Sequence, residues 1–104
     1  MRAPVIAYIG LGANLGRAAA AVLGAMDDIA ALDGVTLSRR SSLYGSAPVD
    51  SSGPDYVNAV VEVQTRLTAP LLLAQLQGIE EKSGRERPYR NAPRTLDLDL
   101  LLYG

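Results

Sequence analysis

The chain closes on the stretch APRTLDLDLLLYG, Ala92–Gly104, in which two aspartates interrupt a run of leucines. Side chains two positions apart lie on the same face of a β-strand, about 7 Å from each other. Two carboxylates that close repel each other and are costly to desolvate unless a cation compensates them. The stretch therefore predicts a strand with one face in a core and an acidic face in a surface site. The core face holds Leu96, Leu98, Leu100 and Leu102, and the other face holds Asp97, Asp99, Leu101 and Tyr103.

Composition limits the class of protein. A chain of 104 residues with 48% hydrophobic and 20% charged residues is predicted to form one folded domain, residues 1–104, around a single core. We expect a cytoplasmic location and no membrane partner, because the sequence has no cysteine, no signal peptide and no apolar run of about 18 residues. The formal net charge of −1 gives no indication of nucleic-acid binding. Without histidine or cysteine, a metal would need oxygen ligands, which favours Mg²⁺, Mn²⁺ or Ca²⁺ over zinc.

Working back from the last strand, apolar periodicity predicts four strands and two helices. A glycine-rich turn, Gly10–Gly16, leads from the first strand into the first helix, and its glycines either shape the turn or cradle a phosphate. Thr68 is the predicted N-cap of the second helix, whose inward residues are Leu72, Leu73, Leu76 and Ile79. The strands are predicted at Val5–Ile9, Val35–Tyr44, Tyr56–Thr65 and the closing stretch.

The resulting order, βαββαβ, predicts the fold. It fits a ferredoxin-like α+β sandwich, in which a four-stranded antiparallel sheet carries both helices on one face. The valine face of the third strand and the leucine face of the last strand then pack under the helices. This arrangement brings Tyr56, Asn58, Asp97 and Asp99 together on the uncovered face of the sheet.

Arginines gather immediately before the acidic strand. Arg85, Arg87, Arg90 and Arg94 lie within ten residues of one another. Such a loop beside paired carboxylates suits a polyphosphate bridged by a divalent cation, because guanidinium groups bind phosphate oxygens in a bidentate manner while carboxylates hold the metal. The alternative is a solvated basic loop in which aspartates and arginines form a purely structural network.

Four blocks together resemble the signature of one family, the 6-hydroxymethyl-7,8-dihydropterin pyrophosphokinases of folate biosynthesis. They are AYIGLGANLG, YGSAPV, PDYVNAVVEV and GRERPYRNAPRTLDLDLLLYG, at residues 7–16, 44–49, 54–63 and 84–104. The resemblance implies transfer of pyrophosphate from ATP to the hydroxymethyl group of the pterin, with release of AMP. Such a transfer needs positioning and charge neutralisation more than a strong base, so a chain without histidine can perform it.

The resemblance also implies roles for single residues. Asp97 and Asp99 match the aspartates that hold two Mg²⁺ ions, and with Arg85 and Arg94 they form the expected catalytic set. The pterin would be bound by Ser46, Val49, Tyr56 and Asn58, and the ATP by Gln77, Glu80, Arg85, Arg87 and Arg90.

The sequence departs from the family pattern in places. Asn91 and Ala92 replace a tryptophan and a glycine, and Ala13 replaces a serine. Chains of the family normally continue past this point with a histidine, an arginine and a phenylalanine that complete the pockets. Three hypotheses therefore stand: a short pyrophosphokinase that is active at least weakly, a non-catalytic pterin- or nucleotide-binding relative that acts as a sensor or partner subunit, and a ferredoxin-like interaction module.

The uncovered face also predicts self-association. Val60, Leu101 and Tyr103 are expected beside Tyr56 on that face, where they would form an apolar patch open to water. We therefore expect a homo-oligomer, in the simplest case a dimer formed through the end of this face that bears Leu101.

Overall fold

A computed structural model describes residues 3–13, 18–46, 56–85 and 96–104 of the chain. These residues form a mixed arrangement of strands and helices that follows the predicted chain order. The elements are β1 (Val5–Ala13), α1 (Ala18–Ala30), β2 (Val35–Arg40), β3 (Tyr44–Ser46), β4 (Tyr56–Thr65), α2 (Ala69–Arg85) and β5 (Asp97–Tyr103).

The strands form one antiparallel sheet in the order β2-β4-β1-β5, and β3 also pairs with β4. β2 and β3 follow the same side of β4, so the predicted strand Val35–Tyr44 is interrupted after Arg40. At the interruption Ser41 continues the pairing, since its N–H donates to the carbonyl of Val60 at 2.8 Å and its Oγ accepts the N–H of Val60 at 2.9 Å. With β2 and β3 counted as one interrupted edge, the sheet has the predicted ferredoxin-like arrangement.

One face of the sheet is buried under both helices. β1 and β4 bury every second side chain, from Ala7 to Ala13 and from Ala59 to Thr65. The helices add Val22, Ala25, Met26 and Ile29 from α1, and Leu72, Leu76 and Ile79 from α2, to the same core. We call the opposite side of the sheet the open face. Within the described residues, no helix is long and apolar enough to cross a membrane.

The predicted turn at Gly10–Gly16 is wrong at its beginning, because β1 continues to Ala13. The alternation explains the difference: Leu11 and Ala13 are buried like Ala7 and Ile9, so the strand pattern runs through the glycines. Gly10 and Gly12 occupy the open face of this strand, and Gly16 lies outside the described residues.

The second helix follows the predicted pattern with one exception. Thr68 caps α2, since its Oγ1 accepts the N–H of Leu71 at 3.4 Å. Leu73, predicted to face inward, is 41% exposed. Adjacent residues point about 100° apart around a helix, so Leu72 and Leu73 cannot both point at the centre of the core.

The closing strand begins as predicted and then changes phase. Leu96 and Leu98 are buried while Asp97 and Asp99 are exposed, but Ile9 pairs with Leu100 and Tyr8 pairs with Leu102. Leu101 is thus the extra residue of a β-bulge, which reverses the alternation after it. The predicted faces of Leu102 and Tyr103 are therefore wrong: Leu102 is 64% exposed, whereas Tyr103 packs against the core.

Candidate functional site

Two glycines of β1, Gly10 and Gly12, face the open side of the sheet without side chains of their own, and we call the strip of backbone at these residues the trough. Gly12 lies between Asn58 of β4 and Asp97 of β5, and Gly10 lies between Val60 and Asp99. Adjacent strands are about 4.8 Å apart, so the acidic strand and β4 stand roughly 10 Å apart across the glycines. The fold thus places the carboxylates on one side of the trough and the side chains of Tyr56 and Asn58 on the other, as the sequence predicts.

Neighbouring side chains crowd the space above the two glycines. A Cβ atom at Gly12 would stand 3.1 Å from Oδ1 of Asn58, and one at Gly10 would stand 3.3 Å from Cδ1 of Leu101. Neither glycine has a positive φ angle. The two glycines therefore leave room for these side chains and do not shape a turn. The predicted cradling of a phosphate stays a prediction.

Asp97 and Asp99 are both exposed on the open face. Among the described residues, no group of three or more acidic, histidine or cysteine side chains could hold a metal ion by itself. A pair of carboxylates nevertheless fits Mg²⁺, which is usually bound by one or two carboxylates and completes its shell with substrate phosphates and water. The donor set is therefore suited to a metal that arrives together with a polyphosphate.

Two tyrosines border the polar side of the trough. Tyr56 is half-buried at the start of β4 and pairs with Ser46. Tyr44, which sequence reasoning did not select, pairs with Asn58 and is 51% exposed. The register of β3 on β4 brings Tyr44 into the row of Asn58, Gly12 and Asp97. The sequence gives no signal for this placement, since β3 has only three residues.

Only some of the residues predicted to bind ATP lie in the described part of the chain, and these belong to α2. Gln77 is exposed on α2, and Arg85 is the last residue of that helix. Glu80 is half-buried, and its Oε2 accepts the backbone N–H of Leu98 at 2.8 Å. The predicted site residues Val49, Arg87, Arg90 and Arg94 lie outside the described residues.

A hydrogen-bonded group lies at the other end of the open face. The Tyr8 hydroxyl donates to Oε1 of Glu62 at 2.7 Å, and Nε of Arg39 is 4.0 Å from Oε2 of the same carboxylate. The hydrogen bond to Glu62, together with the negative charge of that side chain, raises the pKa of Tyr8 above 10.0, and Arg39 opposes the shift. This group stands about four residues along β1 from Gly12, roughly 13 Å away.

Comparison with known proteins gives one consistent result. The family model for 7,8-dihydro-6-hydroxymethylpterin-pyrophosphokinase matches residues 8–104. A Haemophilus influenzae protein named 2-amino-4-hydroxy-6-hydroxymethyldihydropteridine pyrophosphokinase is 45% identical over 101 residues, which are 96% of this chain and 63% of the relative. Proteins of the same name from Synechocystis and Pseudomonas putida are 42% and 40% identical, over 94% and 93% of this chain and 50% and 81% of their own lengths. The chain thus spans between half and two thirds of the first two relatives.

Proposed function

The chain belongs to the 7,8-dihydro-6-hydroxymethylpterin-pyrophosphokinase family, and we propose on this basis that residues 1–104 form a single domain that transfers pyrophosphate from ATP to 6-hydroxymethyl-7,8-dihydropterin. AMP is the second product, and the reaction belongs to folate biosynthesis. The observation that carries the proposal is the trough, which places two exposed carboxylates across from Tyr56 and Asn58. This arrangement offers a polyphosphate end and a planar-ring end in one site.

The acidic end would hold the metal. Asp97 and Asp99 would bind two Mg²⁺ ions, which neutralise charge on the triphosphate. Arg85 and Arg94 would complete the catalytic set, and Arg87 and Arg90, with Gln77, would bind the rest of the ATP. Guanidinium groups suit this role because they bind phosphate oxygens in a bidentate manner and stay charged.

The other end would bind the pterin. Tyr56 offers an aromatic ring for stacking on a planar heterocycle, and Asn58 offers both donors and an acceptor to its polar edge. Ser46 and Val49 would add polar backbone groups. With the reactants held a few ångströms apart and their charge neutralised, orientation would supply most of the rate, which suits a chain that contains no histidine.

Formation of AMP tests this proposal. The purified chain should convert ATP to AMP only when Mg²⁺ and the reduced pterin are both present, and Asp97→Asn should abolish the product. If the chain binds both ligands but forms no AMP, the non-catalytic alternative, a pterin- or nucleotide-binding sensor or partner subunit, is correct. Failure to bind a non-hydrolysable ATP analogue with Mg²⁺ would leave only the interaction module.

We further propose that the chain forms a homodimer in the cytoplasm. The support for a dimer is an apolar patch on the open face, made by Ile6, Leu101 and Leu102, which are 47%, 51% and 64% exposed. Tyr103, which packs against the core, takes no part. The absence of cysteine and the choice of ATP as substrate support the location.

Light scattering at micromolar concentration tests the dimer. We expect the mass of two chains, and Leu102→Lys should reduce it to the mass of one. Leu73→Lys is the matched control, because Leu73 is a leucine of comparable exposure (41%) on the helix side. A monomeric parent would contradict the dimer without affecting the proposed reaction.

A further inference from the structure

Glu80 contacts the acidic strand at its centre. Its Oε2 accepts the backbone N–H of Leu98 at 2.8 Å, and Leu98 is the residue between Asp97 and Asp99. The distance is typical of a charge-assisted hydrogen bond, which is stronger than a bond between neutral groups. The carboxylate of α2 thus reaches the backbone of the segment that presents both metal-binding candidates.

The position of β5 in the sheet explains why such a contact matters. β5 is the last strand in the order β2-β4-β1-β5, so within the described residues it has a strand neighbour on one side only, β1. In an antiparallel pair, the polar groups of successive residues point alternately towards and away from the neighbouring strand. The Leu98 N–H points away from β1 and would have no strand partner. Glu80 supplies the acceptor on this side.

The contacts of the Asp-Leu-Asp segment within the described part of the chain include the following three. The Leu98 side chain is 5% exposed and lies in the core. Pairing of Asp97 with Gly12 and of Asp99 with Gly10 holds the segment to β1. The hydrogen bond that the Leu98 N–H donates to Glu80 holds the edge away from β1, and it lies one residue from each aspartate. A shift of the Leu98 backbone would displace both carboxylates together.

We propose that Glu80 is a positioning residue for the Asp97–Asp99 pair, acting through the Leu98 N–H rather than by touching the nucleotide. This inference rests on the proposed function, since it takes the aspartates as the metal site. Among the described residues, Glu80 does not form a group of three acidic side chains with Asp97 and Asp99 that could hold an ion. It differs from the direct contact with ATP that the family resemblance predicts for this residue.

Two ligands separate positioning from direct contact. Inorganic triphosphate with Mg²⁺ carries the phosphate chain of ATP without ribose or adenine. If Glu80 positions the aspartates, Glu80→Ala weakens binding of Mg²⁺–triphosphate and of Mg²⁺–ATP by the same factor, about 10-fold, as found for outer-shell partners of metal sites. If Glu80 instead contacts the nucleoside, only Mg²⁺–ATP binding is weakened, and the proposal is overturned. Calorimetry measures both affinities.

Hydrogen exchange at the Leu98 amide reports the contact independently of any ligand. Glu80→Ala should speed this exchange about 10-fold or more, because the N–H loses its acceptor. Glu80→Gln, which keeps a neutral acceptor, should give an intermediate exchange rate and recover most of the affinity. Glu81→Ala is the matched control: it removes the same charge from the next, exposed position of α2 and should change neither readout. Equal Leu98 exchange in the parent and all three variants would overturn the proposal.

The same experiment distinguishes failure of this inference from failure of the proposed function. A parent chain that binds neither Mg²⁺–ATP nor Mg²⁺–triphosphate contradicts the proposed function, whereas faster Leu98 exchange in Glu80→Ala still supports the anchoring of β5. If Glu80→Ala does not fold, Glu80→Gln carries the test. Intermediate exchange with equal, partial weakening of both ligands then supports the proposal, and unchanged exchange overturns it.

Discussion

The two halves of β5 come from one leucine-rich stretch and behave differently. In Asp97–Leu100 the alternation of the sequence holds, and both aspartates stand exposed while Leu98 is buried. After the bulge at Leu101 the phase is reversed, so that Leu102 is exposed and the Tyr103 hydroxyl donates to the carbonyl of Leu67 at 2.7 Å. The first half presents two carboxylates on the open face, and the second half forms a hydrogen bond to the segment before α2. A period of two therefore predicts the face of a residue only as far as the pairing stays regular.

The largest effect of a substitution is expected on Mg²⁺-dependent ATP binding, in the regular half of β5, Asp97–Leu100. Asp97→Ala or Asp99→Ala should weaken Mg²⁺-dependent ATP binding by more than about 100-fold, since even outer-shell partners of metal sites cost 10–100-fold. The melting temperature should stay within a few degrees, because both side chains are exposed. Asp27→Ala, an exposed aspartate of α1, is the control for loss of charge. Binding at the parent's affinity in either variant would remove the aspartates from the site.

The second largest effect is expected on pterin binding, from a substitution in the trough beside Asp97–Leu100. Gly12→Ala should weaken pterin binding about 10-fold, because the new Cβ would stand 3.1 Å from Oδ1 of Asn58 and displace that side chain. In an Asn58→Ala background the same change should cost little, which a double-mutant cycle by calorimetry would show. Gly24→Ala is the matched control: nothing lies within 4 Å of its Cβ position in α1. It should leave binding unchanged and raise stability by about 0.5–1 kcal/mol. Additive losses in the cycle would contradict the steric explanation.

The bulged half should respond in stability rather than in binding. Tyr103→Phe removes the hydrogen bond to the Leu67 carbonyl and should lower the free energy of unfolding by about 1 kcal/mol. In a domain of this size, that loss corresponds to a melting temperature lower by roughly 4–8 °C. Tyr44→Phe, on an exposed tyrosine, should change stability by less than about 0.5 kcal/mol. Equal melting temperatures for Tyr103→Phe and the parent would show that the bulge does not depend on this bond.

The smallest effect is expected at the Tyr8–Glu62 pair, opposite the bulged half. Because Glu62 raises the pKa of Tyr8, the folded chain keeps the phenolic proton more firmly than the unfolded chain. The resulting stabilisation is complete below the ordinary value of 10.0 and is lost as the pH rises through the raised folded pKa. The difference in near-ultraviolet absorbance between the parent and Tyr8→Phe, followed against pH, reports this titration. In Glu62→Gln the Tyr8 pKa should move back towards its ordinary value, and a parent Tyr8 that already titrates there would contradict the hydrogen bond.

Most of the fold could be predicted from local patterns. The alternation of β4 predicted its bounds and its buried face, and the helical spacing of Leu72, Leu76 and Ile79 predicted the core face of α2. The errors lie where one local pattern is compatible with two different predictions. Glycines at positions 10 and 12 read as a turn, although the alternating apolar residues around them continue the strand. Leu73 was predicted to face inward because it is apolar, although Leu72 beside it already points into the core.

The candidate site likewise contains residues that could be placed from the sequence and residues that could not. Asp97, Asp99, Tyr56 and Asn58 could be placed on one face from alternation alone, and the order of elements indicated that this face is uncovered. The placement of Tyr44 beside Asn58 depends on the register of β3 against β4. The contact between Glu80 and Leu98 joins residues 18 positions apart through the packing of α2 on β5. Neither contact leaves a periodic signal, because each is set by a partner distant in sequence.

The sequence by itself determined which side chains alternate or recur at helical spacing, and thereby the order of strands and helices and the acidic face of the last strand. These features depend on the geometry of one backbone segment, which neighbouring residues decide. Only the tertiary structure decided that Gly12 lies between Asn58 and Asp97, that Leu101 is the extra residue of a bulge, and that Glu80 reaches the Leu98 N–H. These features depend on register and on unpaired polar groups at a sheet edge. Such groups find their partners only once distant segments have packed together.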